Sequence, residues 1–124
     1  MNLTIKKIDG AYTVCKVPDF SGVDCGAVYC FTARTDEECS VVCRTEDVPR
    51  DTVAREDGWS MFRVTGTLDF SLIGILSKIT GALAAADVSV FAVSTFNTDY
   101  FLVRQAQEAS ACIALQSAGY TVRR

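Results

Sequence analysis

Apolar and polar residues follow two different periods along this chain. In the second half, apolar side chains recur at the three- and four-residue steps typical of one helix face: Leu72, Ile75, Leu76, Ile79 and Leu83. The shorter apolar runs around them are typical of β-strands. The pattern predicts a strand at 61–66, a helix at 71–86, strands at 88–95 and 99–104, a helix at 105–118 and a strand at 120–123.

The first half has strand patterns but no comparable helical run. Its apolar segments predict strands at 11–17, 28–33, 39–44 and 52–55. A further run at 3–8 predicts an additional first strand. We expect that strand to pair with the next one through a turn at Asp9-Gly10, because Asp-Gly is a favoured hairpin turn.

The two halves repeat the same blocks in the same order, which indicates an internal duplication. Asp-Phe-Ser occurs at 19–21 and again at 69–71, and 29–47 aligns with 89–107 without a gap. Three identities lie in that alignment: Phe31/Phe91, Thr35/Thr95 and Arg44/Arg104. The links between blocks are shorter in the first half, where they have room for about two helical turns at most.

These patterns predict an α+β protein made of two ferredoxin-like βαββαβ units, 1–57 and 58–124. The helices of the first unit are eroded to loops, and the sheet is mainly antiparallel with helices on one face. The predicted strands 88–95 and 99–104 are apolar on both faces, so both faces are expected to be covered. Helices cover one face, and a second sheet or a second chain is expected on the other, which favours a homodimer.

The composition is that of a packed globular protein, with 49% hydrophobic and 22% charged residues. The net charge of −3 and the scattered basic residues argue against nucleic-acid binding. No apolar run reaches the roughly 18 residues that span a membrane, and the first residues lack the apolar core of a signal peptide. A cytoplasmic protein without membrane contact is expected.

The chain contains six cysteines and no histidine. Without histidine, Ser-His-Asp and Cys-His catalysis are excluded, so an enzyme is not expected, and no cofactor is expected either. The absence of a C-x-x-C pair argues against a metal site. The cysteines are interpreted as reduced, small apolar residues, with Cys25 the one expected to be exposed.

The segments LDFSLIGIL and AADVSVFAVSTFNTDYFLV, within 59–103, resemble the ACT domains, and in particular small tandem-ACT proteins related to the cytosolic arginine sensors of eukaryotes. The resemblance extends more loosely over 11–55, which makes 1–57 a degenerate ACT-like unit and 58–124 a complete one. It implies a regulatory module that binds a free amino acid between paired ACT domains and acts through self-association or a partner enzyme. The acidic composition and the arginine-sensor resemblance favour a cationic amino acid.

The start of the predicted helix is one edge of the candidate ligand site. Its exposed N–H groups suit a ligand carboxylate, and the residues there are Asp69, Phe70, Ser71 and Gly74. Gly74 would allow close approach to the backbone. Asp69 or Ser71 is equally suited to cap the helix, and Gly74 to contact the sheet.

The turn between the predicted strands 88–95 and 99–104 is the other edge of the site. It contributes Thr95, Phe96, Asn97 and Asp99, with Asp99 the leading partner for a ligand ammonium group and Asp69 the second. The alternative is a purely structural turn, because Asn and Asp bond nearby amides in hairpins. An interaction module that has kept the fold and lost the ligand remains the second functional hypothesis, and an enzyme using Cys25 or a carboxylate is the third.

Overall fold

Seven strands and two helices make up the part of the chain that the computed structural model describes, residues 3–65 and 74–124. In chain order they are β1 Thr4–Val17, β2 Phe31–Arg34, β3 Cys39–Arg44, β4 Ala54–Thr65, α1 Ile75–Ala85, β5 Phe91–Ser94, β6 Asp99–Arg104, α2 Glu108–Ser117 and β7 Thr121–Arg123. Short 3₁₀ turns, Thr45–Asp47 and Gln105–Gln107, follow β3 and β6.

The chain divides into two units, and β1 and β4 contribute residues to both. We call Met1–Asp9 with Ser60–Arg124 the helical unit, and Gly10–Trp59 the loop unit. The neighbouring strands are β2-β3-β1-β4 in the loop unit and β7-β1-β4-β6-β5 in the helical unit. The β1–β3, β2–β3 and β5–β6 ladders are antiparallel, and β1–β7 is parallel.

One hydrophobic core fills the helical unit. Phe101 and Val103 project from one face of β6, and Phe62 and Val64 from β4, into the same cluster. The Phe62 and Phe101 rings stack with centroids 5.2 Å apart. Both helices cover this face through a set of buried apolar residues: Ile79, Leu83, Ala111, Cys112 and Leu115. The predicted α+β class, with a mainly antiparallel sheet and two helices, is confirmed, whereas the tandem arrangement of two units, the first with its helices eroded, stays a prediction.

Both helices end in the same way. Val88 N–H donates to the Leu83 carbonyl, and Tyr120 N–H donates to the Leu115 carbonyl, which is the long hydrogen bond of a Schellman motif. The residue before each donor is left-handed, Asp87 with φ 59° and Gly119 with φ 99°. Gly119 is therefore the helix terminator that the sequence predicts. This ending also explains why β5 begins at Phe91 rather than at position 88.

Both faces of β6 are buried within the single chain. Phe101, Leu102 and Val103 are consecutive, so their side chains alternate between the two faces. All three are nonetheless 0% exposed. Burial of the second face therefore does not by itself require a second chain.

The loop unit has no α-helix within its fully described range. Its core contains Cys15, Val17, Val41 and Cys43, with half-buried residues packed on them from the loops and strand ends: Phe20, Val23, Cys30, Cys39 and Val48. Two stacking contacts hold the segment 18–30 against the β2–β3 hairpin, with Arg34 over Phe20 and Arg44 over Tyr29. The predicted erosion of the first-half helices to loops agrees with this arrangement.

The β2–β3 and β5–β6 hairpins have the same register. Aligned residues occupy the same rungs, Phe31↔Val42 and Phe91↔Leu102 at one end, Arg34↔Cys39 and Ser94↔Asp99 at the other. Burial along β3 also matches burial along β6, position by position. Each hairpin is followed by a 3₁₀ turn of three residues. The two hairpins thus share one backbone pattern, and the duplication of the whole unit stays a prediction.

The expected hairpin at Asp9-Gly10 is wrong. β1 passes through both residues as one strand, pairing with β7 at Thr4–Lys6 and with β3 at Tyr12–Val17. Gly10 has φ of 105°, which L side chains rarely adopt, so glycine serves a local distortion of the strand rather than a reversal.

The strands predicted separately at 52–55 and 61–66 are one strand, β4. The helix predicted from 105 begins at Glu108, because 105–107 form a 3₁₀ turn first. The domain boundary predicted between residues 57 and 58 stays a prediction. The loop unit contains β4 up to Trp59, and the helical unit contains β4 from Ser60 onward.

Candidate functional site

The turn 95–98, one edge of the predicted site, lies at the end of the helical unit where β4 finishes. Thr98 Oγ1 donates to the Val64 carbonyl at 2.5 Å, and Phe101 stacks on Phe62, so β6 runs antiparallel to β4. β5 is antiparallel to β6 and therefore parallel to β4. α1 lies between β4 and β5 in the chain and packs on the same core as β4 and β6.

The turn between β5 and β6 is held by its own hydrogen bonds. Thr95 N–H donates to the Thr98 carbonyl at 2.9 Å, and Thr95 Oγ1 donates to the same oxygen at 2.8 Å. Thr98 Oγ1 then fixes the turn to β4. Thr95 is therefore engaged structurally, and Thr98 is an anchor that the sequence reading missed because nothing in the pattern placed it beside β4.

Asp99 stands at the start of β6 with a half-buried side chain. Its Oδ1 accepts a hydrogen bond from Ser94 Oγ at 2.6 Å, across the first rung of the β5–β6 ladder. One carboxylate oxygen is thus oriented by Ser94, a residue that sequence reasoning did not select. The matching rung of the other hairpin, Arg34↔Cys39, has no carboxylate.

Phe96 and Asn97 form the tip of the turn. Phe96 is 82% exposed and Asn97 is also exposed. Their counterparts at the tip of the β2–β3 turn are Asp36 and Glu37, so the chemistry of the two tips differs although the backbones match.

Gly74 occupies the N-cap position of α1 with φ of 77°, in the left-handed region. It provides no side-chain cap, and a Cβ built there would meet nothing within 4 Å. Glycine is required here by backbone conformation, not by close contact with the sheet. Asp69, Phe70 and Ser71, predicted as ligand or capping residues, lie outside the described residues.

A second polar cluster lies in the loop unit, around a fully buried hydroxyl. Thr13 Oγ1 donates to Asp57 Oδ1 at 2.7 Å and lies 2.8 Å from Thr45 Oγ1. Arg55 donates to the same carboxylate oxygen at 2.9 and 3.2 Å. The Thr13 hydrogen bond, followed by Arg55, lowers the pKa of Asp57. These groups satisfy each other, so the cluster is read as structural.

The helical unit contains a comparable polar contact. Buried Ser60 donates to Glu108 Oε1 at 2.6 Å, at the first residue of α2. Lys7 and Arg124 approach the same carboxylate at 3.9 and 4.0 Å. We interpret this contact as structural too, because it joins β4 to α2 and gives the buried Ser60 hydroxyl a hydrogen-bond partner.

The cysteine placements agree with their interpretation as apolar residues. Cys15, Cys43 and Cys112 are buried, whereas Cys25 is exposed as expected. Burial raises the pKa of the Cys43 thiol to about 12, so the thiol form predominates near neutral pH. Among the described residues, no group of three or more Cys, Asp or Glu is placed to hold a metal ion. No helix in the described ranges is long and apolar enough to cross a membrane.

Known sequences match part of the chain. A family model described as an ACT domain matches residues 54–117. The human protein named cytosolic arginine sensor for mTORC1 subunit 1 is 50% identical over 46 residues, which cover 36% of this chain and 14% of that protein. The bovine protein of the same name matches equally. The chain thus matches only a small part of these longer relatives.

Solved structures share the fold over almost the whole chain. A protein from Agobacterium tumefaciens superposes with a TM-score of 0.87 and 28% identity, covering 98% of this chain and 92% of that one. The ligand-free regulatory subunit of aspartate kinase from Thermus thermophilus superposes with a TM-score of 0.62 and 10% identity, covering 96% and 97%. The second likeness concerns the fold alone. Because the family model covers more than half of the 124 residues, the chain belongs to the ACT-domain family.

Proposed function

We propose that this protein is a non-catalytic regulatory module that binds a free amino acid at the end of the helical unit where β4 finishes. It is supported by the Asp99 carboxylate, which Ser94 orients at this end, and by the order of elements: α1 connects β4 to the parallel strand β5, so its first turn is expected at the end where β4 finishes. An amino acid presents a carboxylate and an ammonium group, and these two edges match that pair of charges.

Each predicted residue has a role in this proposal. The ligand carboxylate would accept from N–H groups at the start of α1, with Asp69, Phe70 and Ser71 preceding it and Gly74 shaping the backbone. The ammonium group would bind Asp99, whose orientation by Ser94 leaves its second oxygen for a ligand. Phe96 and Asn97 would contact the ligand side chain, and Thr95 would hold the turn.

The biological setting is part of the same proposal. Two ACT units, 1–57 and 58–124, would be present in each chain, and a second copy of the chain would complete the interface that holds the ligand. A cationic amino acid is the favoured ligand, because the chain is acidic and matches part of proteins named as arginine sensors. Binding would change self-association or contact with a partner enzyme in the cytoplasm, since a ligand shifts only equilibria in which it prefers one state.

The alternative function is an interaction module that no longer binds a ligand. It is favoured by the internal hydrogen bonding of the 95–98 turn and by the exposed Phe96 at its tip. In this alternative the turn would contact another protein directly.

Thermal unfolding with each of the twenty free amino acids would separate the two functions. A binding site predicts a saturable rise in Tm for one class of amino acid, and about 2.7 kcal/mol of stabilisation at a hundredfold excess over Kd. Size measurement by light scattering with and without that amino acid would report the change in self-association.

Asp99→Ala should abolish the response while leaving the ligand-free Tm nearly unchanged. Asp36→Ala, in the matching turn of the other hairpin, is the control and should respond like the wild type. No response to any amino acid at millimolar concentration, with the protein folded, would favour the interaction module.

A further inference from the structure

Five of the six cysteines lie in the loop unit, and four of them pack into its small core. The strand ladders fix their relative positions. Cys15 on β1 lies opposite Val41 on β3. Cys39 and Cys43 lie two residues before and two residues after Val41 on β3, on the same face of the sheet. Such diagonal neighbours have Cα atoms roughly 7–8 Å apart, which is too far for a disulfide without backbone movement.

Cys30 and Cys43 are differently related. The β2–β3 ladder ends at the pair Phe31↔Val42. Continuing this register by one residue on each strand would bring Cys30 opposite Cys43. Directly opposite residues in an antiparallel ladder have Cα atoms about 4.5–5.5 Å apart, which is within the range that a disulfide requires. Both side chains pack into the same core, so they lie on the same face.

The duplicated hairpin supports this geometry independently. The residues that match Cys30 and Cys43 in the helical unit are Val90 and Val103. Val103 is fully buried and Val90 packs on the same cluster, so this pair of positions turns inward together in both hairpins. These two positions are valines in the helical unit and cysteines in the loop unit.

An exposed thiol lies in the same loop as Cys30. Cys25 is exposed and Cys30 is half-buried. Between them, the Ala27 N–H donates to the Asp24 carbonyl and closes a turn, and Tyr29 has a left-handed backbone conformation. The pKa of Cys30 is raised first by burial and next by the charge of Cys25, as expected for neighbouring thiols.

We propose that Cys30 and Cys43 form a cross-strand dithiol that low-molecular-weight disulfides such as glutathione disulfide convert to an intramolecular disulfide, with Cys25 as the exposed entry thiol. Cys25 thiolate attacks glutathione disulfide and releases one glutathione. Cys30 then attacks the Cys25 sulfur and displaces the second glutathione. Cys43 finally attacks Cys30, which returns the Cys25 thiol and leaves Cys30–Cys43. One glutathione disulfide is reduced to two glutathiones as two protein thiols are oxidised.

The bond would tie the loop 18–30 to β3 and close the segment 30–43. A disulfide that closes a loop of this size constrains the unfolded chain, and a rise in Tm of about 10 °C that a reductant reverses is expected. The reduced form keeps two small apolar side chains in the core. The loop unit would therefore exist in two covalent states with the same strand register.

Peptide mapping of the wild-type protein after incubation with glutathione disulfide tests the proposal directly. Trypsin cuts after Lys16, Arg34 and Arg44, and should yield peptides 17–34 and 35–44 joined by a reducible bond, with no glutathione retained. In a Cys25→Ser, Cys39→Ser double variant, the join can involve only Cys30 and Cys43. It should form several-fold more slowly there because the entry thiol is missing.

Cys30→Val and Cys43→Val supply matched controls, because valine is the residue that the other hairpin has at these positions. Each should fold, should lose the joined peptides and should show no redox-dependent Tm. Cys39→Ser should retain both. A product that stops at glutathionylated Cys25, or a bond between Cys25 and Cys30 in the wild type, would overturn the proposal. A redox-dependent Tm shift in Cys43→Val as large as that of the wild type would also overturn the proposal.

Discussion

The β2–β3 and β5–β6 hairpins share one backbone but are covered in two different ways. Their ladders, turn hydrogen bonds and following 3₁₀ turns match residue for residue. In the helical unit, α1 and α2 bury one face of β6, whereas in the loop unit a segment stacked under Arg34 and Arg44 covers β3. The comparison teaches that the sheet register does not depend on how the sheet is covered.

The comparison also separates scaffold from candidate function. Thr35 and Thr95 both bond within their own turns, so they belong to the shared scaffold. Asp99 and its partner Ser94 occur in one hairpin only. A residue present in one copy of a repeat and absent from the other is the better candidate for a ligand role.

Core truncations should show the largest difference between the two coverings. Phe101→Ala removes a fully buried ring stacked on Phe62 and is expected to cost about 3–5 kcal/mol of unfolding free energy. Val41→Ala, at the matching position under loops, is expected to cost about 1–2 kcal/mol, because loops can collapse into the cavity. Urea unfolding measures both.

Val103→Ala is the matched control, since it deletes the same atoms as Val41→Ala beneath helices. It should cost more than Val41→Ala. Equal losses of unfolding free energy would mean that the loops covering β3 are as rigid as the helices covering β6.

Two glycines of the helical unit should respond to alanine with opposite signs. Neither Gly74 nor Gly81 has an atom within 4 Å of an added Cβ, so only the backbone conformation differs. Gly74→Ala should destabilise by about 1–2 kcal/mol because of its left-handed φ. Gly81→Ala, inside α1, should stabilise by about 0.5–1 kcal/mol.

Chemical denaturation of both variants checks the signs. Destabilisation by Gly81→Ala would indicate that α1 is constrained by something other than helix propensity.

The shared turn should make Thr35→Ala and Thr95→Ala cost nearly the same. Each hydroxyl bonds to the backbone on the far side of its own turn, and each loss is expected to cost about 1 kcal/mol. Melting temperatures of the two variants measure this. A much larger effect at Thr95 would show that the two turns are not energetically equivalent.

The smallest predicted effect is a pH dependence confined to the loop unit. Asp57 has a pKa below its ordinary 3.8, so its ionised form stabilises the fold above that pH, and the contribution is lost as the pH falls through the lower folded value. Asp57→Asn should therefore flatten the stability curve below pH 3.8. Asp36→Asn, an exposed turn carboxylate, should leave the acid limb unchanged; an equal effect would remove the role assigned to Thr13.

The repeated hairpin could be predicted from the sequence because strand alternation and turn residues are local signals. β3 and β6 have the predicted bounds, and Gly119 ends α2 as predicted. The start of β5 was missed because Asp87 takes a left-handed conformation that its residue type permits but does not demand. Of the candidate site, Thr95 and Asp99 were predicted, while Ser94 and Thr98 act through partners distant in sequence or across a rung.

The sequence by itself determined the family, the repeated hairpin pattern and the two helices, since all three are carried by local pattern. The continuity of β1 through Asp9-Gly10 and of β4 through Trp59-Ser60 was decided by pairing with strands far away in the chain, which compete with and override local turn preference. The tertiary structure alone also packed Cys30 and Cys43 into one core and placed Thr98 beside Val64. Such neighbours are set by strand register and crossover direction, which no short stretch of sequence contains.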